Sequence, residues 1–347
     1  MVLAAILYGI GILLGLFVLE LLLVALLPGF DLPPQPLKRA PGPAEEAAPA
    51  PASREDVRFF VGETALSAWL YLPEHVPPPY PCIVMGNGLG GTRDAGLEPY
   101  AVRFRDAGFA VLAFDYRYFG ASEGEPRQLI WIPAQLEDWS AAVACARGVE
   151  EVDPARVALW GTSLAGGHVI VTAARDPAIA CVAAQVPGMD GRASALASFR
   201  RMGVGRSVRM ILHGQRDLVR SRLGLSPHRI PIVGRPGGIA LIHAPEAFDS
   251  FAALAPEDYV NEACARIIIR GDKYRPIEYA RHVRCPVLLQ ICDHDTLTPI
   301  RAAEETAAIL GDLAEVKRYP LDHFAIYTGD GFELGVRDQV AFFRRHL

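Results

Sequence analysis

The chain has 347 residues, 51% of them hydrophobic and 21% charged, with a formal net charge of -5 at pH 7. That is enough chain for one large domain with an ample core, or two modest ones. The mild acidity gives no basis for a nucleic-acid partner, and the six cysteines (Cys82, Cys145, Cys181, Cys264, Cys285 and Cys292) are scattered without a CxxC pair. They read as buried, unpaired thiols, although nothing forbids a disulfide.

Residues 1–27, MVLAAILYGIGILLGLFVLELLLVALL, are apolar apart from Tyr8 and Glu20. At 1.5 Å per residue a helix of this length crosses a hydrocarbon core of roughly 30 Å. No basic residue precedes the run and no small-residue cleavage site follows, so it reads as a retained single-pass anchor rather than a signal peptide. Lys38 and Arg39 follow it, which favours a cytoplasmic catalytic domain, with a periplasmic or extracellular one as the alternative. Gly11 and Gly15 form a GxxxG, a pattern common by chance in apolar runs. Glu20 is costly in lipid and calls for a partner or an interface. Residues 28–53 are rich in Pro and Ala and read as a semi-extended linker.

From residue 57 strands and helices alternate. VRFFVG and LSAWLYLP form two strands joined at Glu63-Thr64. PCIVMGNG (81–88) is a buried strand, LEPYAVRFRDAG (97–108) a helix ended by Gly108, and FAVLAFDY (109–116) a strand. A helix over 133–148, a strand over 156–161, a helix over 164–175 and a strand over 179–187 follow. After a long interruption come a strand (286–293), a helix (300–311), a strand (315–320) and a last helix. Continuous apolar strands alternating with helices imply a mostly parallel sheet covered on both faces, with ligand sites beyond the carboxyl ends of the strands. The expected organisation is an anchor (1–27), a linker (28–53), an α/β core (54–187 and 285–347) and an inserted, mainly helical cap (188–284).

LWGTSLAGGHV, residues 159–169, places Ser163 between a strand end and a helix start. A serine is a weak nucleophile until it is exposed and a base takes its proton. A sharp strand-to-helix turn lifts Oγ out of the sheet but crowds the backbone, and Gly161 and Ala165 relieve that crowding. The base is expected last in the chain with an acid before it. His323 in YPLDHFAIY and Asp295 in ICDHDTLTP stand in that order, each beyond a strand end. Asp293 and Asp190 are the competing acids, and Asp322 reads as local structure. An oxyanion hole needs two backbone donors. One is the amide of Leu164, and the loop GNGLGGTRD (86–94) supplies the other, by position Leu89. Asn87 shapes that loop.

NGLGG, FDYRYFGASEG, GTSLAGG, CDHDTLTP and DHF resemble the sequential motifs of the α/β-hydrolase superfamily, closest to bacterial hydrolases of the X-Pro dipeptidyl-peptidase (S15-like) and acyl-esterase branch. The resemblance covers about 57–347 and implies the α/β-hydrolase fold, a serine hydrolase, and no metal or organic cofactor. It also implies that Asp115, Arg117, Gly120 and Ser122 lie in a mainly structural loop. Asn87 stands where many relatives have histidine, and Ala165 replaces the second elbow glycine. Neither change removes a catalytic group.

Within the insertion, 193–202 and 207–223 read as helices separated by Gly203 and Gly205. Val208, Ile211, Leu212, Leu218 and Val219 form an apolar stripe on the second, and Arg209, His213, Arg216 and Arg220 a polar one. Residues 230–244 read as a hairpin turned at Pro236-Gly237. From Arg192 to Arg235 ten arginines face one acid, Asp217, which fits a solvated face, anionic lipid or an anionic substrate. The expected activity is hydrolysis of a small-molecule or lipid-like ester or thioester with an apolar acyl part. An S15-like amide or peptide hydrolase is the alternative, with Glu246, Asp249, Glu257 or Asp258 available to bind a substrate amine. A non-catalytic, membrane-tethered scaffold is a third. Oligomeric state is not legible in the sequence.

Overall fold

A computed structural model of the chain describes residues 2–26, 32, 35–37 and 54–347. Most of the expected linker therefore lies outside the described residues. The core is an eight-stranded sheet. Its first strands, β1 (Arg54–Val61) and β2 (Thr64–Tyr71), form an antiparallel hairpin. The turn falls at Gly62-Glu63, one residue earlier than expected, because Gly62 takes a φ of 60° that glycine adopts without strain. Then come β3 (Tyr80–Gly86), α2 (Glu98–Asp106), β4 (Ala110–Phe114), α3 (Ile132–Arg147), β5 (Val152–Thr162), α4 (Leu164–Arg175) and β6 (Val182–Gln185).

The sheet resumes, after the insertion, with β9 (Val287–Cys292), α8 (Ile300–Leu310), β10 (Ala314–Tyr319) and α9 (Gly329–His346). Strand order is β1-β2-β4-β3-β5-β6-β9-β10. From β4 through to β10 every pairing is parallel, and only β1 and β2 run against their neighbours. The carboxyl ends of β3, β5, β6, β9 and β10 thus share one edge, which is where catalytic residues of such sheets collect.

Alternation along each strand fills two layers. Val84, Leu112 and Leu159 face the larger cluster, which α3, α4 and α8 cover. Ile83, Met85, Val111 and Trp160 face the other side, against Tyr100 and Phe104 of α2 and Val336, Phe342 and Phe343 of α9. These side chains are fully buried, and truncating one such aromatic to alanine costs about 3–5 kcal/mol. The six cysteines are free, five of them buried, as expected.

The segment between β6 and β9 is mainly helical. α5 (Gly191–Arg222) breaks at Gly203, whose φ of 73° and ψ of 171° leave the helical region, so the two expected helices meet there. A short pair, β7 (Arg229–Ile230) and β8 (Ala263–Cys264), is followed by α7 (Ile267–Arg270), with α6 (Ala247–Leu254) between the two strands. The hairpin expected over 230–244 does not form. Pro231 and Pro236 lack a backbone donor, and both polar groups of Val233 bond the Asn261 side chain instead. One isolated bridge, Val233 to Ile242, remains.

The stripes on α5 also settle unexpectedly. Val208 and Ile211 are 48% and 43% exposed, while His213 and Arg216 are buried. Arg216 donates to the Val24 carbonyl at 2.7 Å, His213 stacks on His228, and Asp217 pairs with Arg266 at 2.6 Å. Hydrogen-bonded polar groups are tolerated inside, so partners rather than polarity decided which face went in.

α1 spans Val2–Leu26, with its side chains described at 9–24 and 26. Among the described residues no helix is long and apolar enough to cross a membrane. The transmembrane anchor expected over 1–27 is therefore unsupported by the structure.

Candidate active site

Ser163 sits between β5 and α4 with φ 55° and ψ -119°, a strained backbone for a residue with a side chain. The neighbours explain how it is accommodated. A Cβ on Gly161 would lie 2.3 Å from the Ala165 carbonyl oxygen, and one on Gly88 would lie 2.9 Å from the Ser163 Cβ. Ala165 itself is fully buried, so the turn tolerates alanine at the second elbow position. The Ser163 amide donates to Gln185 in β6, and its carbonyl accepts from Gly166 and Gly188, which pins the turn.

Asp295 and His323 meet beyond β9 and β10. The His323 ring Nδ1 lies 2.7 Å from Asp295 Oδ2, with both side chains almost wholly buried. Asp295 accepts three further bonds, from Leu297 N and Thr298 N on Oδ1 and from Thr298 Oγ1 on Oδ2. Burial pushes the carboxyl up, but the His323 ring and the hydrogen bonds from His323 and Thr298 hold it below its ordinary value.

The competing acids are engaged elsewhere. Asp293 pairs with Arg318 at 2.6 Å. Asp190 caps α5 and binds Arg275. Asp322 accepts from Phe324 N and Ala325 N, as local structure should. Among the described residues no hydrogen bond joins Ser163 Oγ to His323, and such contacts are often loose in a free enzyme. The two loops are nevertheless tied, since the Tyr327 hydroxyl, four residues after His323, bonds Thr162 Oγ1 beside the serine.

The amides of Leu164 and Leu89 donate to no protein acceptor among the described residues, whereas those of Gly88 and Gly91 are satisfied within the loop. Asn87 organises this loop: its Nδ2 donates to the carbonyls of Thr92 and Ala95 and its Oδ1 accepts from Gly88. Asp115, Arg93, Arg117, Gly120 and Ser122 form a separate, structural network. Asp115 accepts from the amides of Arg93 and Ala121, Gly120 packs on its carboxyl, Ser122 ties it to β2, and Arg117 binds the buried Asp138. Burial pushes the Asp115 carboxyl up to about 6, against the opposing pull of Arg93.

Ser163 opens into a cavity of about 570 Å³, to which α5 and residues 241–243 and 267–274 contribute much of the wall. The wall is mostly apolar, with Met202, Met210, Ile211, Ile242 and Ile268 among its members. Leu89, Leu164, Leu297 and Thr298 line it beside the serine. Among the described residues, none of the four acids offered for amine binding lines this cavity, and its one carboxylate is Asp272. No cluster of potential metal ligands occurs among the described residues.

Sequence reasoning passed over two histidines near the site. His168 in α4 is fully buried between Tyr274 and Gln135, and burial pushes it down to about 3. Its regular helical spacing hid it. His243 lines the cavity itself, and no motif marks it.

The sheet topology and the strained serine at its edge define an α/β-hydrolase. The solved α/β hydrolase GrgF from Penicillium sp. sh18 superposes with a TM-score of 0.69 at 23% identity, covering 84% of this chain and 98% of that one. Residues 62–211 match the X-Pro dipeptidyl-peptidase (S15 family). The chain is 40% identical over 297 residues to the quorum-quenching protein AidA of Acinetobacter baumannii (strain MDR-ZJ06), covering 85% of this chain and 96% of the relative. It is 25% identical over 278 residues to the thiohydrolase aneE of Aspergillus aculeatus (strain ATCC 16872 / CBS 172.66 / WB 5094), covering 76% of this chain and 84% of that one. The chain belongs to the α/β-hydrolase family of these relatives and is a serine hydrolase. The reading as a non-catalytic scaffold loses its ground here.

Proposed function

We propose that the chain hydrolyses an ester or thioester with an apolar acyl part. Ser163 attacks the carbonyl while His323 takes its proton, and Asp295 orients and stabilises the imidazolium that results. The amides of Leu164 and Leu89 hold the oxyanion. His323 then protonates the leaving group, and water, activated by the same ring, releases the acid from the acyl-enzyme. The observation that carries this reading is the buried Asp295–His323 pair on the same sheet edge as a strained serine that opens into an apolar cavity. The thiohydrolase likeness and the cavity wall support an apolar acyl thioester or ester over a peptide.

The test is a fluorophosphonate probe read by intact mass on wild type, Ser163→Ala and His323→Ala. The reading expects one adduct on wild type, none on Ser163→Ala and slow labelling of His323→Ala. Equal labelling of wild type and Ser163→Ala would refute it. A following series of esters, thioesters and amides fixes the bond cleaved.

We also propose that α1 holds the domain at a membrane, on the cytoplasmic side that Lys38 and Arg39 favour. Leu13, Leu14, Leu16 and Phe17 on α1 are 53–69% exposed, and such apolar surface is costly in water. Arg200, Arg206 and Arg209 of α5 carry no ion pair among the described residues and are free to meet anionic headgroups, whereas Arg216 is consumed internally. Fractionation decides it. The full chain should sediment with membranes, and a chain lacking residues 1–27 should not. Equal behaviour of the two refutes the attachment.

A further inference from the structure

His243 is a cavity residue with nothing to bond. The residue is buried, at 6% exposure, and it lines the apolar cavity that Ser163 opens into. Both ring nitrogens are buried and neither has a hydrogen-bond partner. The carbonyls of Ala240 and Leu241 lie close enough to favour the charged ring, but neither meets a nitrogen in hydrogen-bond geometry. Buried polar groups in native proteins are almost always satisfied, so an orphan calls for an explanation, and one on a cavity wall can be answered by a ligand. The other buried imidazoles of the insertion and of α4 are partnered: His168 has a partner on each nitrogen, and His213 and His228 bond one another.

The surroundings say what kind of partner fits. Burial first, then the nearby charges of Arg201 and Arg206, hold His243 below its ordinary value, so the ring is neutral at pH 7. A neutral imidazole offers one N–H donor and one acceptor. A hydroxyl answers either nitrogen, and an oxo group answers the donor. The rest of the wall is mainly methyl and methylene, with Arg201, Asp272, Tyr274, Thr298 and three serines besides Ser163 as the polar exceptions. A fully hydrocarbon chain would leave the imidazole unsatisfied on binding and expel any water that served it.

We propose that His243 is the polar reader of the acyl cavity, and that the preferred acyl group is an apolar chain carrying a hydroxyl or oxo oxygen part-way along, placed to bond this ring. The inference rests on the reading of Ser163 as the nucleophile that opens into this cavity. His243 is a specificity residue and takes no part in bond cleavage.

The experiment compares kcat/KM for a panel of medium-chain acyl thioesters of N-acetylcysteamine, plain and carrying one hydroxyl or oxo group at successive carbons. It uses the full-length wild type, His243→Phe and His243→Gln. Wild type should prefer one oxygenated position over the plain chain by about 10–100-fold, the range of a site whose polar group is otherwise left unpaired. His243→Phe should erase that preference by raising the plain chain and lowering the oxygenated one. His243→Gln, which keeps a donor and an acceptor, should restore part of it. Because the readout is a ratio within each variant, a partly folded preparation does not distort it.

A wild type with no preference at any position overturns the inference, as does a preference that survives in His243→Phe. A protein that takes the fluorophosphonate on Ser163 but shows no such preference has lost this inference alone. One that takes none has lost the reading of the reaction.

Discussion

Replacing Asp295 with asparagine is the sharpest perturbation of the site. The carboxylate accepts four hydrogen bonds, two on each oxygen, and all four come from donors. An amide presents an acceptor on one side only. If its oxygen keeps the amides of Leu297 and Thr298, its NH2 faces the Thr298 hydroxyl and His323 Nδ1. The hydroxyl can rotate, but the ring must then accept at Nδ1, and its proton moves to Nε2. That nitrogen can no longer take the proton of Ser163. The charge that stabilises a forming imidazolium is lost as well. Together these should lower kcat by about 10³–10⁴, which at 1.36 kcal/mol per decade is about 4–5.5 kcal/mol of transition-state stabilisation. The assay is steady-state hydrolysis of a chromogenic ester across pH, with a thermal melt to show that Asp295→Asn is folded. Asp293→Asn and Asp190→Asn serve as controls, and Asp293→Asn should fall within a few-fold of wild type. If folded Asp295→Asn keeps activity within tenfold, or Asp293→Asn loses it, the acid has been misassigned.

Three further outcomes follow from the same geometry. Ser163→Gly should abolish turnover yet stabilise the fold by about 1 kcal/mol, since relief of a strained φ, worth about 1–3 kcal/mol, exceeds the entropic cost of a new glycine; a lower midpoint in urea would refute the strain. Gly161→Ala should lose about 1–3 kcal/mol by urea titration, because its Cβ would meet backbone rather than a movable side chain; a neutral result would mean the elbow is looser than it looks. His168 ties stability to pH: it is pushed down to about 3 in the fold against about 6.5 in the unfolded chain, so below pH 6.5 the unfolded chain binds a proton that the fold refuses. Stability should therefore fall by about 3 kcal/mol between pH 7 and 4 from this ring, and His168→Gln should lose less over the same interval, as read by urea titrations at both ends.

The sheet and the placement of Ser163, Asp295 and His323 at its carboxyl edge were legible because strands buried on both faces write continuous apolar runs, and because an exposed serine at a sharp turn needs small neighbours at fixed spacing. Strand ends then placed Asp295 and His323 on one edge before any distance was known. Which aspartate meets His323 was legible only in part: three aspartates stood at strand ends, and what separated them was the arginine that Asp293 and Asp190 each meet, a contact across 25 and 85 residues of sequence that no local pattern records.

The insertion was less legible for a physical reason. Its helices bury polar side chains that find partners far along the chain, so hydrophobic periodicity points the wrong way. Val208 faces out and Ile211 sits on the cavity wall while His213, Arg216 and Asp217 face in, because His228, Val24 and Arg266 supply bonds from three other segments. The hairpin over 230–244 failed likewise, since Asn261 took the hydrogen bonds that a partner strand would have used. His243 follows from the same irregular backbone. A strand would have alternated it to a face that its neighbours could be expected to fill, whereas the loop carries it to the cavity wall with both nitrogens bare. The part of the chain that sequence patterns describe worst is the part that walls the cavity beside Ser163. Selectivity among substrates should therefore track substitutions in 188–284, and turnover of any one substrate should track Ser163, Asp295 and His323.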